Sequence, residues 1–145
     1  KYKYKYKYKY KYKYKYKYKY KFWFQAAELY ELAIDNAGVV YAGSRRGGKV
    51  HAIADLDRDG IADVVKVIAK GLKMPSGIAI RDNQLYVAAI NSILRSESLE
   101  GIFNKTPTFI TIYQGFPKDR HHGWKFIDFG LDLQPTIDLI EKVRI

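Results

Sequence analysis

Residues 77–89 have the sequence GIAIRDNQLYVAA, in which two short apolar runs are joined by Asp82-Asn83. Apolar residues at alternate positions are typical of strands, and Asp-Asn between two such runs is typical of a tight turn. Residues 32–44, LAIDNAGVVYAGS, have the same design with the turn at Asn36-Ala37-Gly38. The two stretches therefore predict two β-hairpins.

The two hairpins belong to a longer internal repeat. Tyr41 and Tyr86 lie 45 residues apart and each has apolar neighbours on both sides. Ala33-Ile34 is repeated as Ala79-Ile80, 46 residues later. Predicted strands cover residues 29–35, 39–44, 49–54, 64–69, 78–81, 84–89, 92–95 and 108–113, and 123–129 opens a third unit. Four short antiparallel strands in about 40–50 residues is the spacing of a β-propeller blade. A sandwich also has many short strands, but its units need not resemble each other.

The predicted fold is an all-β, incomplete β-propeller over residues 26–132. This stretch holds about two and a half four-stranded blades, whereas propellers close with about four to eight. We therefore expect a fragment with exposed sheet edges, and such edges can drive self-association.

The net charge of +11 comes from one segment. Residues 1–21 alternate Lys and Tyr and hold 11 of the 26 basic residues, so the rest of the chain has 15 basic and 15 acidic residues. A ribbon with a row of lysines repels itself, and we expect this low-complexity segment to be disordered or extended. It either attaches to nucleic acid or an anionic surface by charge, or it is a tandem DNA repeat translated as protein. No specific nucleic-acid partner is predicted.

Composition excludes several classes of protein. The chain has no cysteine, which excludes disulfides and Cys-based metal sites. No apolar run approaches 18 residues, so we predict no transmembrane segment. Lys1 is not followed by the apolar core of a signal peptide, and the compartment stays unknown.

The densest group of candidate ligands is the predicted loop at residues 55–63, DLDRDGIAD. Alternating acids followed by a glycine can wrap oxygen ligands around a hard cation, because glycine permits the tight turn. An EF-hand needs an acid at its twelfth position, and Lys66 is there instead. We predict a one-loop calcium site that uses Asp55, Asp57, Asp59 and Asp63. The alternative is a hairpin loop in which the Asp side chains accept hydrogen bonds from nearby backbone amides.

Two adjacent histidines, His121 and His122, lie in a predicted loop that enters a strand. Adjacent side chains point apart, so this pair does not chelate a metal as a helical i, i+4 pair would. One imidazole could act as a general base, since histidine titrates near neutral pH. Structural hydrogen bonding is the alternative role.

Four segments together resemble the glucose/sorbosone dehydrogenase family over about Leu32 to Asp132. The segments are Leu72–Ala79 (LKMPSGIA), Gln84–Ala88 (QLYVA), Ile93–Arg95 (ILR) and His121–Gly130 (HHGWKFIDFG). The resemblance implies a six-bladed propeller that oxidises a sugar hydroxyl or aldehyde with pyrroloquinoline quinone and calcium. It also implies a periplasmic or secreted location. The family's general base is a histidine seven residues before the Phe-Gly of a turn, and Phe129-Gly130 places that role at His122.

The sequence departs from the family pattern after Gly130. The family continues with Pro-Asp-Gly and a Leu-Tyr-Val strand, whereas this chain has Leu131-Asp132-Leu133-Gln134-Pro135. The departure indicates a frameshift or false join near residue 131, with residues 133–145 as an aberrant tail. Ile137–Ile145 has the apolar spacing of a short amphipathic helix.

The resemblance concerns an intact protein with more blades than this chain contains. We expect the isolated chain to bind no cofactor and to have no dehydrogenase activity, because the later blades would complete the quinone pocket. The alternative function is a non-catalytic propeller module that binds a partner through its loops, with the Lys-Tyr segment adding charge-driven attachment.

Overall fold

The computed structural model describes residues 29–44, 46–118, 125–129 and 135–139, and these residues form ten β-strands. The strands are β1 (Leu29–Ile34), β2 (Val40–Ser44), β3 (Val50–Ala54), β4 (Val64–Ala69), β5 (Gly77–Arg81), β6 (Gln84–Ala88), β7 (Ser92–Ser98), β8 (Phe109–Gln114), β9 (Lys125–Phe129) and β10 (Pro135–Leu139). No helix occurs among the described residues, so none of them forms a helix that could span a membrane.

The strands form three antiparallel sheets in chain order. Two sheets have four strands each, β1-β2-β3-β4 and β5-β6-β7-β8, and β9 pairs with β10 in a third. We call these sheets blade 1, blade 2 and blade 3. Strands that pair with their neighbours in sequence are the up-and-down arrangement of a propeller blade. The all-β fold and the β-propeller architecture predicted from the repeat are confirmed.

Both predicted hairpin turns are present. Asp82 and Asn83 have φ angles of 49° and 56°, which is the left-handed conformation that a two-residue hairpin turn requires at both positions. In blade 1, the Asp35 carboxylate accepts hydrogen bonds from the backbone amides of Ala37 and Val39, each at 2.9 Å. The turn residues thus satisfy backbone groups that no strand partner reaches.

Blades 1 and 2 pack face to face through one apolar core. Its fully buried members include Tyr41 and Val50 from blade 1 and Leu85 and Val87 from blade 2. A smaller core, which contains Tyr86 and Ile127, joins blade 2 to β9. The two tyrosines of the sequence repeat therefore occupy equivalent places, each in the core between its own blade and the next.

The first strand of each blade is its inner strand. β1 lies against β5, and β5 lies against β9, so the three inner strands run side by side. None of these contacts is a strand pairing, because each inner strand pairs only with the second strand of its own blade. Each blade consequently meets the next through its inner strand.

The helix predicted over Ile137–Ile145 is wrong at its first three residues. Residues 135–139 form β10, which pairs with β9 from Pro135 opposite Phe129 to Leu139 opposite Lys125. Thr136, Ile137, Asp138 and Leu139 alternate polar and apolar residues, which fits a strand as well as a helix in so short a segment. Pairing with β9 decides between the two, and a proline is tolerated at the first residue of a strand. Residues 140–145 lie outside the described residues.

Gly43 permits the close approach of blade 1 to blade 2. A Cβ atom added there would overlap the carbonyl oxygen of Pro75 and lie 3.1 Å from the Ile78 side chain. Its φ angle does not require glycine, so space is the constraint at this position.

We expect Gly43→Ala to lower the free energy of unfolding by about 1–3 kcal/mol, the usual cost of overpacking a core. Urea denaturation followed by tyrosine fluorescence measures the change. Thr111→Ala, at an exposed position of β8, is the matched control and should stay within about 0.5 kcal/mol of the parent. Equal stability of the two variants would show that the blades do not approach each other at Gly43.

Candidate functional site

The structure brings together three of the four aspartates predicted to bind calcium. One carboxylate oxygen from each of Asp55, Asp57 and Asp63 lies within 4.8 Å of the others. Asp59 is not part of this cluster; its Oδ1 accepts a hydrogen bond from the backbone amide of Ile61 at 2.6 Å. The loop joins β3 to β4 at one end of blade 1.

Backbone hydrogen bonds hold the three carboxylates in place. Asp55 Oδ2 accepts from the Gly60 amide at 2.7 Å, and Asp63 Oδ2 accepts from the Leu56 amide at 2.6 Å. Asp57 Oδ1 accepts from the Asp59 amide at 3.1 Å. The loop therefore has the backbone-capping bonds of the alternative interpretation and the clustered acids of the calcium interpretation.

The geometry of the cluster fits a calcium ion. Calcium binds oxygen ligands at about 2.3–2.6 Å, so two ligands on opposite sides of the ion lie about 4.6–5.2 Å apart. The spacing within 4.8 Å meets this condition. Asp55 Oδ1 is buried and has no hydrogen-bond partner, so it is an acceptor that a cation could satisfy. The φ of 88° at Gly60 explains why a glycine follows the acids.

His122, the predicted general base, lies outside the described residues, and so does His121. In the sequence His122 precedes β9 by three residues, so the segment that carries it leads into the inner strand of blade 3. Its catalytic role stays a prediction.

A cavity of about 500 Å³ lies along the three inner strands. Nine of the eleven described residues that line it are of apolar type, and the other two, Glu31 on β1 and Asp128 on β9, are acidic. The Glu31 carboxylate accepts a hydrogen bond from the Ile78 backbone amide at 2.8 Å, which links blade 1 to blade 2.

Burial and charge both disfavour an ionised Glu31. Burial of the side chain has the largest effect and the nearby charge of Asp128 adds to it, whereas the hydrogen bond from Ile78 acts in the opposite direction. Together they raise the pKa of Glu31 to about 7. An acid that titrates near neutral pH inside a cavity is typical of a functional position.

Sequence reasoning did not find Glu31. One available signal was strand alternation, because Glu31 shares a face of β1 with Ala33, which packs against the core between blades 1 and 2. A carboxylate on the inner face of a strand needs a partner, and the partner here is an amide in the next blade.

One residue of the lining, Phe129, packs against an aromatic and a cationic side chain. The Phe129 ring packs edge-on against Tyr86 with centroids 5.0 Å apart. The Arg81 guanidinium lies 5.2 Å from the Phe129 centroid and also pairs with Asp82 at 3.2 Å. Arg81 thus has partners in Phe129 and Asp82, at the ends of strands β9 and β5.

The lining of this cavity does not fit pyrroloquinoline quinone. This cofactor carries carboxylates and is an anion at neutral pH, whereas the charged groups that line the cavity are Glu31 and Asp128. Two acids in a partly buried site repel an anion. If the intact protein binds the quinone, other residues must hold it.

Residues 21–134 match the family described as Domain of unknown function (DUF7133). The match covers most of the chain, and the chain belongs to this family. It leaves out residues 1–20, which hold nearly all of the Lys-Tyr repeat. The match gives no support at the level of sequence to the resemblance to glucose/sorbosone dehydrogenase.

Solved structures of sugar-active enzymes share the fold. The holo form of the pyranose dehydrogenase PQQ domain from Coprinopsis cinerea matches 72% of this chain and 25% of that chain, with a TM-score of 0.59 and 13% identity. The calcium structure of a Trichoderma reesei enzyme of carbohydrate-active family AA12 matches 73% of this chain and 27% of that chain, with a TM-score of 0.58 and 15% identity. At such low identity the likeness shows a related fold.

A curated relative matches a short stretch of sequence. Non-muscle myosin heavy chain of Drosophila melanogaster is 53% identical over 47 residues, which is 32% of this chain. The match spans 2% of the length of that myosin, too little to show a shared family.

Proposed function

We propose that this chain is a propeller segment of a sugar oxidoreductase that uses pyrroloquinoline quinone, and that its acidic loop binds calcium. The observation that carries the proposal is the fold shared with the PQQ domain of pyranose dehydrogenase at a TM-score of 0.59. The resemblance of four segments, taken together, to glucose/sorbosone dehydrogenase leads to the same proposal, although the family that residues 21–134 match is a different one.

In this proposal the intact protein oxidises a sugar hydroxyl or aldehyde. A bound quinone would act as the hydride acceptor, and His122 would accept the proton of the substrate hydroxyl. Residues other than those of the acidic cavity at Glu31 would hold the quinone, in further blades. The solved structures with this fold are about four times as long as the part matched here, which leaves room for such blades.

The calcium ion in this proposal has a structural role. Asp55, Asp57 and Asp63 would hold it with one carboxylate oxygen each. Neutralising three clustered acids would tie the two ends of the β3–β4 loop together, because Asp55 directly follows β3 and Asp63 directly precedes β4. The ion would stiffen the hairpin without entering the redox reaction.

The sequence alone predicts no bound cofactor in the isolated chain, but the clustered carboxylates change this expectation for calcium. We expect the 145-residue chain to bind one calcium ion with a Kd of about 0.1–1 mM, the range of extracellular calcium modules. Isothermal titration calorimetry in calcium-free buffer measures the affinity. Asp57→Asn should weaken binding at least tenfold, because it removes a charged ligand.

Asp59→Asn is the matched control for the calcium site. It changes the same kind of side chain in the same loop but lies outside the cluster, so it should retain the parent affinity within about twofold. Absence of calcium binding by the parent chain, or equal loss in both variants, would contradict the three-carboxylate site.

The reaction is tested on the intact natural gene product, reconstituted with pyrroloquinoline quinone and calcium. We expect reduction of a dye in the presence of an aldose, and loss of this activity by at least about 100-fold in His122→Ala, since general-base catalysis contributes on the order of 10²–10⁴. His121→Ala is the matched control and should stay active.

Absence of sugar-dependent dye reduction by the intact product would refute the oxidoreductase proposal.

The acidic cavity favours the second candidate function, a non-catalytic binding module, because the cavity does not fit the anionic quinone. Salt-sensitive nucleic-acid binding that disappears on deletion of residues 1–21 would then support that module.

A further inference from the structure

Glu31 replaces a missing strand partner at the open edge of blade 2. Among the ten described strands, β5 pairs only with β6, so the backbone amides on its other side have no described strand to donate to. One of these amides, that of Ile78, donates to Glu31 Oε2 at 2.8 Å. This side-chain-to-backbone hydrogen bond joins the inner strands of blades 1 and 2.

The carboxyl that makes this bond is also close to blade 3. Asp128 on β9 lines the same cavity, and its negative charge disfavours an ionised Glu31. A neutral carboxyl can still accept the Ile78 amide bond through its carbonyl oxygen. An ionised carboxylate accepts a stronger bond, but it must lose part of its hydration and lie near a second negative charge.

We propose that Glu31 is a proton-controlled link between the blades, which holds the inner strands of blades 1 and 2 together while its carboxyl is neutral and loosens this junction when the carboxylate forms beside Asp128. Blades 1, 2 and 3 all contribute to this arrangement, since Glu31, Ile78 and Asp128 come from β1, β5 and β9. Uptake of one proton therefore changes contacts among three sheets.

Other titratable groups on the strands around Glu31 have partners of their own. Tyr41 on β2 donates to Asp35 at 3.1 Å, Arg81 on β5 pairs with Asp82 at 3.2 Å, and Lys125 on β9 lies 5.4 Å from the Phe116 ring centroid. Among the described residues, the charged groups that line the cavity itself are Glu31 and Asp128. We assign the proton taken up in the neutral pH range to Glu31, whose pKa is raised to about 7.

The sign of the pH effect follows from the raised pKa of Glu31. The folded chain keeps its proton up to about pH 7, whereas the unfolded chain releases it near pH 4.5. The contribution of Glu31 to the free energy of unfolding is fully present below pH 4.5 and is lost as the pH rises to about 7. Burial lowers the pKa of His51, which has the opposite effect, because its contribution is lost as the pH falls below 6.5.

Glu31→Gln separates the pH-dependent stability contribution of Glu31 from that of His51, because glutamine keeps an oxygen acceptor and carries no charge. The difference in Tm between this variant and the parent chain is measured from pH 4 to pH 8.5, so that the effect of His51 cancels. We expect a difference near zero at pH 4 that grows to on the order of 4 °C in favour of the variant at pH 8.

Two further variants test the role of the neighbouring charge. In an Asp128→Asn background, the Tm difference caused by Glu31→Gln should be smaller and should reach its plateau at a lower pH, because removal of the Asp128 charge lowers the pKa of Glu31. Glu97→Gln, at an exposed position of β7, is the matched control and should show no pH-dependent difference. A difference for Glu31→Gln that stays constant over the whole pH range would overturn the proposal.

Amide hydrogen exchange at Ile78 distinguishes a link between blades from a general change in stability. In the parent chain we expect the protection factor of this amide to fall by about tenfold between pH 5 and pH 8, more than that of Val87 in the adjacent strand. In Glu31→Gln it should stay constant. Equal changes at Ile78 and Val87, or no change at either, would show that Glu31 does not control the junction, and this readout in the parent chain holds even if a variant fails to fold.

Discussion

The open edge of each inner strand is the constraint on which the structure depends. Inner strands in neighbouring blades lie side by side without pairing, so their outward amides need partners that none of the described strands supplies. Side chains supply them: Glu31 accepts from Ile78 between blades 1 and 2, and Ser76 Oγ accepts from the Lys125 amide at 3.2 Å between blades 2 and 3. The same local solution thus occurs at both junctions, with different residues.

The blades approach each other closely where their inner strands lie side by side. Gly43 and Gly77 lie where neighbouring backbone is near, and a Cβ at Gly77 would lie 2.6 Å from the Lys125 carbonyl oxygen. The two apolar cores hold the sheets together. Residues of the inner strands line the cavity that contains the two acids. The acidic loop between β3 and β4 belongs to a hairpin of blade 1 and is positioned by its own hydrogen bonds.

The strands could be predicted from sequence because turn residues separate them and the repeat reveals the blade. Asp82-Asn83 marks a hairpin directly, and the match of Tyr41 to Tyr86 sets the period. The C-terminal segment could not be assigned, because five residues fit a helix or a strand and only pairing with β9 decides. Glu31 was missed for a similar reason, since its partner is a backbone amide 47 residues away in the next blade.

Residue-resolved nuclear Overhauser effects in the isotope-labelled chain test most directly whether side chains join the inner strands. We expect a contact between the Ile78 amide proton and the side-chain protons of Glu31, and another between the Ile78 side chain and the Gly43 α-protons. Contacts confined to strands of the same sheet would contradict the packing of blade 1 on blade 2 and the cavity that depends on it.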